Sequence, residues 1–137
     1  MGSTFTSQAP PLQPLETRCD QQQHCVLPLL GTGSYSGDWT GSDVEATASS
    51  IVGSSFVGAT TAVFTGTIKS CGTGSLIVRF RGTGQAGKGG HGTWTIAAGF
   101  GSGDLTNTTG EGTWHSTTAH DSSTTGVFTG KVTCRKP

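Results

Sequence analysis

The sequence predicts an all-β fold: a closed antiparallel barrel of about eight strands with little or no helix. Three observations carry that expectation. The 137 residues include 23 glycines and an excess of Thr and Ser, against 12% charged and 31% apolar residues. Gly and β-branched Thr both lower helix propensity, and the mixture suits short strands joined by tight turns. Apolar side chains recur with a period of two between Gly-rich breaks, and no window places them at i, i+3, i+4 and i+7. Finally, seven or eight strands in one open sheet would leave an apolar face wet and two edges unpaired. With no helix to cover them, closure into a barrel or folding into a sandwich resolves both problems.

The elements follow in order. Residues 1 to 17 carry Pro10, Pro11 and Pro14 among Gln, Ser and Thr, the composition of an extended or disordered leader. We therefore divide the chain into a Pro/Gln-rich leader, 1–30, and a barrel domain, 31–137. A domain of this length can bury roughly two-thirds of the surface its unfolded chain exposes, so one core is feasible. Alternation begins with Tyr35 and Trp39 in GSYSGDWTG and continues with Phe64 and Ile68 in AVFTGTIKS. Leu76, Val78 and Phe80 follow in GSLIVRFRG, then Trp94 and Ile96 in GTWTIAAG, Trp114 in EGTWHST, and Phe128 and Val132 in GVFTGKVTC. Gly37, Gly66, Gly74 and Gly112 fall inside these strands, where a small barrel bends sharply.

Four cysteines sit at Cys19, Cys25, Cys71 and Cys134. Their spacing lacks the paired C-x2-4-C of a zinc site, so disulfides are the better reading. Of three connectivities we favour Cys19–Cys25, a local clip, and Cys71–Cys134, which ties a mid-chain strand to the last one. In the chain-entropy model the long bridge contributes about 4 kcal/mol and the short one about 2 kcal/mol. Bridges imply an oxidising compartment and hence a secreted or extracellular protein, with Met1-Gly2-Ser3 standing where an export signal was removed. Four reduced, buried thiols in a cytosolic protein are the competing reading.

Charge excludes some partners. Eight basic and eight acidic residues give a net charge of zero, with no run of like charge beyond Arg135-Lys136. Nothing steers the chain to nucleic acid or to an anionic membrane, and Pro28 interrupts the apolar run from Cys25 to Leu30. Gly101-Ser102-Gly103-Asp104 has the texture of a nucleotide loop, but no helix pattern and no Lys-Ser/Thr pair follows it. It reads instead as a chain reversal between the Trp94 and Trp114 strands. His91, His115 and His120 do not stand at chelating spacing, so no metal is expected. A G-x-S-x-G nucleophile needs a strand-to-helix elbow that this chain cannot build.

GTGSYSGDWTG (31–41), CGTGSLIVRFRGTG (71–84), HGTWTIAAGFGSGDLTNTTGEGTW (91–114) and GVFTGKVTC (126–134) together resemble the small bacterial β-barrel proteins grouped with allene oxide cyclase and the dirigent proteins. The core of the likeness is G-x-G-x-L-x-x-x-x-G at Gly101, Gly103, Leu105 and Gly110, and it spans Gly33 to Cys134. The resemblance implies an eight-stranded barrel around an apolar cavity, acting on a small hydrophobic substrate without metal or organic cofactor. The cysteines and the leader depart from the plant enzymes, and no catalytic residue is carried over. Streptavidin-like biotin binders share the Gly/Thr/Trp texture but no sustained alignment.

Strand parity sorts the remaining candidates. Tyr35, Trp39, Phe80, Trp94 and Trp114 are the expected substrate-binding aromatics; Gly37 between Tyr35 and Trp39 would leave a gap over which a flat ligand could lie. Asp38 falls on the opposite face. Glu111 and His115 are the candidate proton-transfer pair if their face is turned to the lumen, whereas an apolar lumen would put them outside, with Arg79 and Arg81. Two functions follow. One is a cofactor-independent cyclase or isomerase that preorganises a small apolar molecule. The other is a non-catalytic secreted barrel that binds a small ligand or serves as an interaction module. Homo-oligomerisation is compatible with both.

Overall fold

A computed structural model describes residues 2–9, 13–14, 18–19, 21, 24–85, 87–119 and 123–134, with backbone alone at 2–3, 8–9, 13–14, 18–19 and 24–28. Eleven strands form, and the described residues contain no helix. They are β1 (Gly2–Ala9), β2 (Gln13–Pro14), β3 (Arg18–Cys19), β4 (His24–Gly37), β5 (Trp39–Val52), β6 (Ser55–Ile68), β7 (Gly72–Gln85), β8 (Gly89–Ile96), β9 (Ser102–Gly103), β10 (Thr109–Thr118) and β11 (Thr124–Thr133). Eight of them close a ring in the order β1-β11-β10-β8-β7-β6-β5-β4 and back to β1, all antiparallel. β2 and β3 pair with the first half of β4, and β9 pairs with the start of β7. The ring thus has no free edge.

The barrel begins earlier than the composition suggests. β1, inside the expected leader, is one of the eight staves, with Phe5 opposite both Phe128 and Gly37. A single apolar residue among Ser, Thr and Gln shows no alternation, yet the ladder needs only backbone groups and Phe5 supplies the packing: it is 1% exposed. β4 likewise starts at His24, ahead of residue 31. The proposed Cys19–Cys25 bridge falls on side chains outside the described residues, although the backbone register sets these two positions opposite each other. Cys71–Cys134 is formed, joining the β6–β7 turn to the end of β11 across a Cα–Cα distance of 5.7 Å.

Tight joints match the turn chemistry. Asp38 alone links β4 to β5, and it is pinned to β1 twice: its amide donates to the Thr4 carbonyl at 3.1 Å, and its Oδ2 accepts from the Thr4 amide at 2.9 Å. Gly53 opens the two-residue β5–β6 hairpin with φ of 61°, a conformation glycine adopts without strain. Between β8 and β10, Asp104 Oδ2 accepts from the Thr73 amide at 3.0 Å and Leu105 is wholly buried. The glycine-spaced stretch around Leu105 is therefore a plug over one barrel end.

Indole rings occupy space that glycines vacate. Gly112 and Gly130 are cross-strand partners beneath Trp94; a Cβ on either would stand 2.6 and 2.7 Å, respectively, from the ring. Trp94 Nε1 in turn donates to the Thr129 carbonyl at 3.2 Å. Gly82 makes the same room for Trp114, whose Nε1 donates to the Thr93 carbonyl at 3.0 Å. Phe5 then stacks between Trp39 (centroids 4.2 Å apart) and Phe128 (4.8 Å), and this slab fills the lumen half nearest the disulfide.

Candidate functional site

The other half of the lumen is open. Above the aromatic slab lies a cavity of about 300 Å³, within the range of small-molecule sites. Even-numbered residues of β6 and β7 and odd-numbered residues of β4 and β5 turn inward, so parity alone decides what meets a guest. Phe80 from β7, Trp114 from β10 and Phe128 from β11 present aromatic surface. β5 presents Glu45, Thr47 and Ser49, joined by Thr60 of β6. β10 stands four places from β5 round the eight-strand ring, so Trp114 faces the Glu45 strand, while Phe80, the register partner of Thr60, and Phe56 flank that strand and Ser116 and Thr124 add hydroxyls on the far side.

The polar lining contains an acid pair. Tyr35 donates from its hydroxyl to Asp43 Oδ2 at 2.7 Å, and Asp43 is 4% exposed with Oδ1 buried and unpartnered. Glu45, two residues on, shares its face and borders the cavity. Burial first, and then the negative charge of Asp43, pushes the Glu45 carboxyl up to about 8. Burial, followed by the Asp43 charge, also holds the Tyr35 phenol well above its usual range. Glu45 therefore carries its proton at neutral pH inside a largely apolar chamber, as a general acid or a hydrogen-bond donor requires. Next to it, the Thr47 and Thr60 hydroxyls hydrogen-bond to each other at 2.6 Å.

The expected site residues separate into three places. Tyr35, Phe80 and Trp114 line the cavity. Trp39 and Trp94 are fully buried in the packed half and belong to its floor. The gap expected above Gly37 is filled by Phe5, which stacks on Trp39 and also on Tyr35 at 5.6 Å. Glu111 and His115 are exposed on the outer face of β10, where His115 pairs across to His91 and Glu111 to Lys131. The inward parity of β10 goes to Trp114, so neither reaches the lumen. Asp43 and Glu45 escaped the sequence reading, though both share parity with Trp39 through Gly41. Continuing that count past the glycine would have found them. Among the described residues no cluster of three or more His, Cys, Asp or Glu is placed to hold a metal.

Fold and site together define a cup-shaped antiparallel barrel, packed at one end and hollow at the other. No family model and no curated protein matches the chain. Among solved structures it is similar to the crystal structure of a protein with unknown function from the DUF3224 family of Shewanella oneidensis MR-1. The two share 17% identity and superpose with a TM-score of 0.65 over 100% of this chain and 97% of that one, which makes the likeness one of fold.

Proposed function

We propose that the barrel is a cofactor-independent cyclase or isomerase that holds a small hydrophobic substrate in its open end, in the manner of the allene oxide cyclase-like barrels its glycine-spaced turn resembles. The observation that carries this reading is the cavity of about 300 Å³ with Glu45 on its wall. A chamber of this kind removes the entropy cost of finding a reactive conformation. Glu45, raised to about 8, can give a proton as the acid and take one as the carboxylate near neutral pH. The Cys71–Cys134 bridge supports an oxidising, extracellular setting.

Two measurements test it. Nile red, a neutral apolar dye, should bind wild type and fail to bind Thr60→Trp, which fills the cavity. Phenylacetone in heavy water at about pH 8 should then exchange its α-hydrogens faster with wild type than with Glu45→Gln, as the Glu45 carboxylate takes a proton from carbon, trades it for deuterium from the solvent and returns a deuteron. Dye binding without enhanced exchange would leave the alternative, a non-catalytic carrier of small apolar ligands. Failure of the dye to bind would sink both.

A further inference from the structure

Trp114 on β10 and the Glu45–Thr47 stretch of β5 face each other across the cavity, and that pairing restricts what it accepts beyond size and oiliness. Resting on the cavity reading above, we propose that its ligand is a flat, conjugated, uncharged carbonyl compound, with its ring against Trp114 and Phe128 and its oxygen on the β5 wall, where Glu45 and the Thr47–Thr60 pair donate to it.

The polar wall is a donor wall. Glu45 holds its proton because a second negative charge beside buried Asp43 is disfavoured, and a guest's oxygen competes with Asp43 for that O–H. Thr47 and Thr60 own two hydroxyl protons and spend one on each other, leaving one to point at a guest. A carbonyl oxygen has two lone pairs and takes both donors. A carboxylate would bring a second negative charge next to Asp43. An ammonium would have to shed its water in an apolar chamber and displace the Glu45 proton, and both steps cost free energy. The opposite wall favours flat rings, since aromatic faces gain from offset stacking.

Titration of Glu45 should govern recognition. Among the described residues the titratable groups about it are Asp43 on its own strand and Tyr35 on β4, while β6 brings Thr60 and Ala62, which do not titrate. The test compares four probes of one skeleton, acetophenone, benzoate, benzylamine and ethylbenzene, by amide NMR titration of wild type, Glu45→Gln and Glu45→Leu. Thermal melts verify that each variant is folded. Acetophenone should bind wild type about tenfold more tightly than each of the other three, the worth of one well-made hydrogen bond. That preference should fade in wild type as pH rises through about 8. Glu45→Gln, whose amide still donates, should keep the preference with no pH dependence, and Glu45→Leu, left with the Thr47–Thr60 hydroxyl alone, should lose most of it. Benzoate or benzylamine binding as tightly as acetophenone would overturn the proposal, as would a Glu45→Leu protein that retains the preference in full. If ethylbenzene binds and acetophenone has no advantage, the carbonyl assignment fails while the apolar cavity stands. If none of the four binds, the cavity reading fails with it.

Discussion

At the scale of single residues, the cavity places two acids where an apolar core would be more stable. Glu45 titrates ordinarily near 4.5 and at about 8 in the folded barrel, because of burial and then the Asp43 charge. Between those pH values the folded state holds a proton that the unfolded state has released, so stability falls as pH rises, by up to about 1.4 kcal/mol per unit. The stability linked to Glu45 is fully present below pH 4.5 and lost by the time pH passes about 8. Glu45→Gln has no such proton. Urea unfolding should therefore find the variant close to wild type at pH 4 and more stable than it at pH 8, whereas parallel curves across that range would mean that Glu45 is not held protonated. Tyr35→Phe removes the hydroxyl that donates to Asp43 Oδ2 and leaves buried carboxylate oxygen short of a donor. It should cost about 2 kcal/mol in the same experiment, and a loss below about 0.5 kcal/mol would show that water reaches Asp43 and replaces the phenol.

Among strands, legibility depended on whether a residue type advertises its face. Leu76, Val78 and Phe80 announce the inward side of β7, and Trp94 with Ile96 that of β8, so the alternation was readable there without coordinates. β5 was harder to read. After Trp39 its inward positions are Gly41, Asp43, Glu45, Thr47 and Ser49, a polar series that mimics a solvated face, so the acid pair stayed hidden even though its parity was fixed. β1 was hidden for a related reason: Phe5 is one apolar residue with no alternating neighbour, and its membership in the ring depends on long-range pairing with β11 and β4. The glycines were recognised as strand residues that permit bending, but a sequence cannot show that Gly112 and Gly130 lie side by side beneath one indole. Gly112→Ala tests that arrangement. Its methyl would meet both the Thr129 carbonyl and Trp94 Nε1, so the ring must move and its hydrogen bond to Thr129 must lengthen. Overpacking of this kind costs about 1–3 kcal/mol, and the near-ultraviolet circular dichroism of the indole should change with it. A variant as stable as wild type with an unaltered spectrum would mean that the ring is not seated on these glycines.

For the molecule as a whole, the barrel divides its length between stability and access. Aromatic rings, Leu105 and the Cys71–Cys134 bridge occupy one end, and the cavity with its acid pair opens at the other. The bridge closes a long loop, with a sequence separation of 63, and in the chain-entropy model its removal should cost about 4 kcal/mol. Both cysteines lie away from the cavity lining, so the loss should fall on the folding equilibrium and leave the folded cup's affinity intact. The double variant Cys71→Ser, Cys134→Ser should therefore unfold at much lower urea than wild type, yet bind Nile red with an unchanged dissociation constant wherever it remains folded. Weakened binding in the folded variant would mean that the packed end shapes the open one, so that the barrel works as one mechanical unit. An unchanged constant would instead establish that the slab of Trp39, Phe5 and Phe128 isolates the chamber from strain below it. That separation would leave the chamber walls free to change their guest by substitution at Glu45, Thr60 or Trp114 while the same base holds the ring closed.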